Sequence, residues 1–272
     1  MKTVRIGTRG SKLALAQAEI CAAAFSAKGI ETELRIIRTR GDADQRSALS
    51  QIGKGAFTDE FTLLLQKGEI DVAVHSAKDL PTVAEKDNFF CLPRGDARDL
   101  LIFRGNETVR IGTGSPRRAA SVSEKFPGAQ ILPVRGNVDT RLRKLASGDY
   151  DALVLAAAGL IRLGLYDGKS DRFTWEGETF FVRYFEVNEC VPAACQGIIA
   201  IEGEYGRLIS DDETKKTALL ERKLQRMLGG DCEGGVGAYF DGARLYAQRD
   251  GKRASLVYDG EDCIARLAGM LL

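Results

Sequence analysis

The chain is nearly without histidine. Its one imidazole, His75, and six scattered cysteines with no CxxC pair leave no ligand set for a structural zinc site. Long apolar runs are missing too, with nothing approaching the ~18 residues that a bilayer-spanning helix needs. The most apolar early stretch, KLALAQAEICAAAFSAKG, carries Gln17 and Glu19 and follows a strand-like segment. It therefore predicts an amphipathic helix, not a cleaved leader. Net charge is only +1, so no global field favours nucleic acid or a membrane surface. No GxxxxGK[ST] loop occurs, which counts against a phosphotransfer enzyme built on the Gly/Ser turns. Unpaired thiols predict a reduced, cytoplasmic setting.

What is present is an ordinary globular composition, 44% hydrophobic and 28% charged over 272 residues, enough for about two domains. TVRIG reads as a strand, 12–28 as a helix closed by Gly29, and IETELRIIRT as a strand. Residues 56–67 read as a helix closed by Gly68, and IDVAVHS as a buried strand. That β-α-β-α-β order predicts a parallel or mixed sheet with helices on its faces. The plan then recurs: VRIGTRGS at 4–11 returns as VRIGTGSP at 109–116, and KGEIDVAVHSA at 67–77 as SGDYDALVLAA at 147–157. Two matches in the same order predict two related α/β lobes. Such sheets bind ligands at the carboxyl ends of their strands, so a cleft between the lobes is expected. GIIAIE, near 200, is a strand candidate that returns to the first lobe. The expected division is 1–94 with 186–205, then 95–185, then a small α+β domain at 206–272. That last domain reads as a helix over 213–228, a glycine-rich loop, short strands and a final helix.

Basic residues gather at the predicted strand ends. Arg9 and Ser11 follow the first strand, and Thr113, Ser115, Arg117 and Arg118 follow its repeat, with Ser115 as N-cap and Pro116 at N1. Arg135, Arg141 and Arg162 follow later strands. Any one of these is ordinarily a solvated surface charge. Their recurrence in both lobes points to a polyanion site, since helix starts favour anions and arginine grips carboxylates bidentately. VAVHSAKDLP delivers Ser76, Lys78 and Asp79 to a strand end, where a carboxylate beside a lysine can hold an amine or stabilise a developing cation. His75 lacks partners for a catalytic triad, and a lone histidine on a buried strand is more often a hydrogen-bonded core residue. MLGGDCEGGVG, residues 227–237, sets Cys232 among five glycines: a flexible turn with a spare thiol, or a thiol kept accessible for attachment.

RIGTRGSKLALAQ, VHSAKDLP, GTGSPRR, RGNVDTRL, AAGLIRLGL and CQGIIAIE together resemble the porphobilinogen deaminase (hydroxymethylbilane synthase) family, in order along almost the whole chain. The resemblance implies an α/β fold of two periplasmic-binding-protein-like lobes with a central cleft, plus a small C-terminal α+β domain. It implies a cytoplasmic, monomeric transferase with no metal, no nucleic-acid partner and no membrane partner. Four porphobilinogen molecules would be deaminated and joined head to tail on a covalent dipyrromethane cofactor, and water would release the linear tetrapyrrole. Cys232 would carry the cofactor as a thioether. Asp79 would be the catalytic carboxylate, assisting ammonia loss and stabilising the cationic azafulvene. Ser76, Lys78, Asp79, Thr113, Ser115, Arg117, Arg118 and Arg141 would contact the cofactor. Arg9, Ser11, Arg135, Arg141 and Arg162 would hold porphobilinogen or the growing oligopyrrole. Two departures stand near the thiol: Asp231 intervenes after the glycine pair, and Gly235 replaces an expected proline. Segment 171–186 is longer and more aromatic than the family pattern and reads as packing or a hairpin between lobes; Cys190 and Cys195 read as structural thiols. The competing reading is a non-enzymatic bilobal small-anion binding or sensor module, which would use neither Asp79 nor Cys232.

Overall fold

The computed structural model describes residues 3–38, 59–105, 109–230 and 235–272. They form two compact units, Met1–Gly95 with Ile198–Leu219, and Asp96–Gly197 with Leu220–Leu272. In the first unit β1 (Val4–Arg9), α1 (Lys12–Ser26), β2 (Thr32–Ile37), α2 (Asp59–Gln66), β3 (Val72–Ser76) and β4 (Phe90–Cys91) are joined by the late strand β11 (Ile199–Glu202). The sheet order is β2-β1-β3-β11-β4, with β1 parallel to both neighbours and β11 antiparallel to β3 and β4. Period-two alternation covers both sheet faces. Val72 and Val74 join Val4, Ile6, Ala18, Cys21 and Phe25 on the α1 side, while Ala73 packs with Phe61 and Ile70 on the α2 side. Helix α1 stops two residues earlier than the sequence suggests, because Gly29 with φ +72° turns the chain toward β2.

The second unit holds β5 (Asp99–Phe103), β6 (Arg110–Gly112), α3 (Pro116–Lys125), β7 (Gln130–Leu132), α4 (Val138–Ala146), β8 (Ala152–Ala156) and α5 (Ala157–Arg162). A hairpin follows, β9 (Arg172–Trp175) and β10 (Glu178–Tyr184). Their order is β7-β6-β8-β5-β10-β9, so β7-β6-β8-β5 repeats β2-β1-β3-β11 with the same parallel and antiparallel senses. The repeat extends to side chains. The Arg5 backbone N–H and guanidinium both donate to Asp71, and Arg110 does the same to Asp151. The aromatic segment 171–186 is a hairpin within the second sheet, added beside β5. Its tight turn uses positive φ at both Glu176 (49°) and Gly177 (84°), the twist that suits a two-residue hairpin loop.

Helix α6 (Asp212–Met227) runs from the first unit into the second. There β12 (Gly237–Phe240), β13 (Arg244–Arg249) and β14 (Lys252–Val257) make a three-stranded antiparallel sheet, followed by α7 (Asp262–Gly269). Leu224, Leu228, Ala238, Leu245, Ala247, Ile264 and Leu267 form its core. No helix among the described residues is long and apolar enough to cross a membrane.

Candidate functional site

In the first unit β1 ends at Arg9, and the Ser11 hydroxyl caps α1 by accepting from the Ala14 N–H at 3.3 Å. β3 ends at Ser76, whose hydroxyl bonds the buried Gln17 carboxamide at 2.9 Å. One 3₁₀ turn, Ala77–Asp79, comes next. Buried Ala77 and Leu80 anchor it from either side, and the Ala77 N–H donates to the Ile198 carbonyl at 3.0 Å. With its flanks pinned, the turn leaves Asp79 exposed and Lys78 half-buried. His75 is buried edge-on to Phe61, with Nε2 3.0 Å from a Glu202 carboxylate oxygen, so it belongs to the packing of the sheet.

In the second unit Thr113–Ser115 form the turn after β6. The Ser115 N–H donates to the Thr113 hydroxyl at 3.2 Å, and the Ser115 hydroxyl caps α3. A side chain at Gly114 would stand 2.9 Å from the Val134 carbonyl, so this turn lies against the end of the β7 segment, one residue before Arg135. Arg135 is exposed, and the Arg141 guanidinium reaches back to the Gly136 carbonyl at 2.7 Å. Arg162, the last residue of α5, donates to the Gly197 carbonyl at 2.6 Å; burial pulls its guanidinium down to about 10. It remains a cation at neutral pH, and its hydrogen bond goes to a carbonyl, not to a carboxylate.

Arg117 and Arg118 turn inward. Both are buried, in the first turn of α3, where the helix dipole disfavours cations. Asp99, wholly buried at the start of β5, receives Arg117 at 2.8 Å, Arg118 at 2.7 Å and the Gln196 carboxamide at 2.8 Å. Burial alone would push the Asp99 carboxyl up; the two guanidiniums overcome it and hold it well below the ordinary range. Arg117 also donates to the Val191 carbonyl, and Arg118 to the Val154 carbonyl and Gln196. The sequence suggested cofactor contacts for both arginines; in the structure these hydrogen bonds go to protein groups. Asp99, Gln196 and Gln17 were not foreseen as parts of the site. The one signal for Asp99 is an acid placed directly before the apolar run LLIF.

Cys232 lies outside the described residues, as do Asp231, Glu233 and Gly234. The chain on either side is defined. A side chain at Gly230 would stand 2.8 Å from Val236, and one at Gly235, where φ is +63°, would stand 3.9 Å from Pro116 at the start of α3. The chain thus rejoins the described structure beside Pro116, the residue that follows Ser115. Cys190 and Cys195 are buried, and both Arg117 and Asp99 contact the Cys190 thiol. Among the described residues no cluster of His, Cys, Asp and Glu could hold a metal ion.

The sequence profile described as "Porphobilinogen deaminase, dipyromethane cofactor binding domain" matches residues 4–211. A probable porphobilinogen deaminase of Methanocella arvoryzae is 42% identical over 253 residues, 87% of this chain and 79% of that protein. Porphobilinogen deaminases of Ruminiclostridium josui and Mycobacterium leprae are 40% and 37% identical, covering 88% and 98% of this chain and 82% and 85% of theirs. Among solved structures, an arginine transport-system periplasmic binding protein of Legionella pneumophila is similar at a TM-score of 0.42, with 12% identity over 80% of this chain and 93% of that one.

Proposed function

Because the chain belongs to the porphobilinogen deaminase family, we propose that its strand-end residues carry out hydroxymethylbilane synthesis. The protein is a transferase of tetrapyrrole biosynthesis, with porphobilinogen as substrate and dipyrromethane as cofactor. The observation that carries this reading is the family match through both α/β units, with Asp79 exposed at the end of β3.

The donor set suits a group bearing carboxylates. Thr113 and Ser115 supply hydroxyls at a helix start, Arg135 and Arg141 supply guanidiniums, and Arg162 is a half-buried cation on a carbonyl. Cys232 is the proposed thioether anchor, and the approach of Gly235 to Pro116 brings the neighbouring chain to this helix start. When bound, dipyrromethane supplies the pyrrole carbon from which the chain grows. Thr113, Ser115 and Arg141 would hold its carboxylates, and Ser76 and Lys78 are the further residues proposed to contact it. Arg117 and Arg118 act from behind: two cations against the single Asp99 carboxylate leave one net positive charge in the first turn of α3.

Arg9, Ser11, Arg135, Arg141 and Arg162 bind the acetate and propionate of porphobilinogen and of the lengthening chain. Asp79 acts at the pyrrole nitrogen. Its carboxylate stabilises the positive charge that appears as the amine departs, and again as each new carbon–carbon bond forms, so one fixed anion serves both steps. Each addition releases one ammonia, and water ends the cycle after four. We propose a cytoplasmic monomer divided into lobes and a C-terminal domain at 94, 185 and 205. A non-enzymatic anion-binding module is not favoured, since the relatives matching across most of the chain are named as deaminases. The test is incubation with porphobilinogen: ammonia and a linear tetrapyrrole should appear in a ratio of four to one, and binding without ammonia release would support the module.

A further inference from the structure

Gln248 is fully buried on β13, on the face opposite the apolar Leu245 and Ala247. Packing alone would be met by leucine or methionine, and burying a carboxamide costs free energy unless its bonds are made. Here they are made, and each points somewhere specific. Nε2 donates to the Arg117 carbonyl at 2.9 Å, while Oε1 accepts from the Ser121 hydroxyl and the Val191 N–H, each at 3.2 Å. One side chain therefore ties the C-terminal sheet to two consecutive turns of α3 and to the 190–192 segment.

Gln248 is the cross-strand partner of Gly237, the first residue of β12. Gly237 has no room for a side chain, since a Cβ would stand 2.6 Å from the Val191 carbonyl and 3.2 Å from Arg117 Cδ. The next residue, Ala238, donates its N–H to the Pro192 carbonyl at 2.9 Å. The start of β12 is thus pressed onto the same surface that Gln248 grips, and Ser115, the cap of α3, lies two residues before Arg117. On the rim, Arg253 pairs with Glu124 and donates to the Glu189 carbonyl, but this pair is exposed and adds little direction.

We propose that Gln248 is a positioning residue: its carboxamide sets the register of the β12–β13 edge on α3, and so where the chain resuming at Gly235 meets the helix start that carries Ser115 and Pro116. The inference rests on the proposed roles of Cys232 and Ser115. A directed polar contact in a dry interface specifies one seating where an apolar one permits several.

The experiment compares the full-length wild type with Gln248→Met, which keeps volume and loses the bonds, and with Gln248→Asn, which keeps the amide and loses reach. Intact mass measures the fraction of chains carrying two linked pyrrole units, and kcat per loaded chain and KM are measured separately. Expected for Gln248→Met is loading of half the chains or fewer, with kcat per loaded chain down about tenfold and KM within twofold, since substrate contacts lie elsewhere. Gln248→Asn should fall between, and decides the matter if Gln248→Met does not fold. Full loading with kcat within twofold in a folded variant overturns the inference alone. A wild type that never carries the added mass overturns the reading of Cys232 beneath it.

Discussion

The Asp99 carboxylate and the Arg117 guanidinium meet at 2.8 Å in complete burial, and Arg118 shares the same carboxylate. Removing the acid strands two buried cations, a change that typically costs about 3–5 kcal/mol. Asp99→Asn should lose stability on that scale in urea unfolding, whereas Asp167→Asn, in an exposed turn, should cost under about 1 kcal/mol.

The same pair sets an acid limit. The folded Asp99 carboxyl titrates well below its unfolded value of about 3.9, so its stabilisation is fully present above pH ~4. That stabilisation is lost as pH falls through the lower folded value. Wild-type stability should therefore drop steeply below pH ~4, and the slope should be shallower in Asp99→Asn. Equal slopes in the two proteins would remove Asp99 as the cause.

Arg162 should behave in the opposite way. Its guanidinium is desolvated against the Gly197 carbonyl with no carboxylate bonded to it among the described residues, and the role proposed for it is in binding. Arg162→Leu should raise KM for porphobilinogen about tenfold or more, the loss of a charge-assisted bond, while the melting temperature holds or rises. A lower melting temperature with unchanged KM would make Arg162 a structural residue.

Asp79→Asn preserves shape and removes the anion. The expected result is kcat lower by about a hundredfold or more, with the cofactor mass retained and the melting temperature unchanged, because Asp79 is exposed and its turn is held by Ala77 and Leu80. Turnover assay and intact mass on the same sample check both halves. Near-normal kcat would move the catalytic role elsewhere.

The lobes were legible because their signals are local. VRIGT and DVAV return as VRIGT and DALV, and the structure adds that Arg5 meets Asp71 as Arg110 meets Asp151. Ser11, Ser115 and Pro116 could be placed at helix starts from capping chemistry alone. Arginine direction was not legible. Arg117 and Arg118 look like Arg135 in the sequence, but an acid eighteen residues before Arg117 draws them inward, and no local pattern encodes that pairing. Gln248 was invisible for a related reason: its partners Arg117, Ser121 and Val191 are 131, 127 and 57 residues away. The aromatic stretch 171–186 read ambiguously because its turn residue, Glu176, is not one that favours positive φ.

We propose that Cys232 carries a two-pyrrole cofactor on which this protein builds its product. Intact-protein mass tests it most directly. The purified chain should exceed its sequence mass by two linked pyrrole units, and Cys232→Ala should lack the excess and the activity together. A chain at its bare sequence mass, inactive even after incubation with porphobilinogen, would contradict the account.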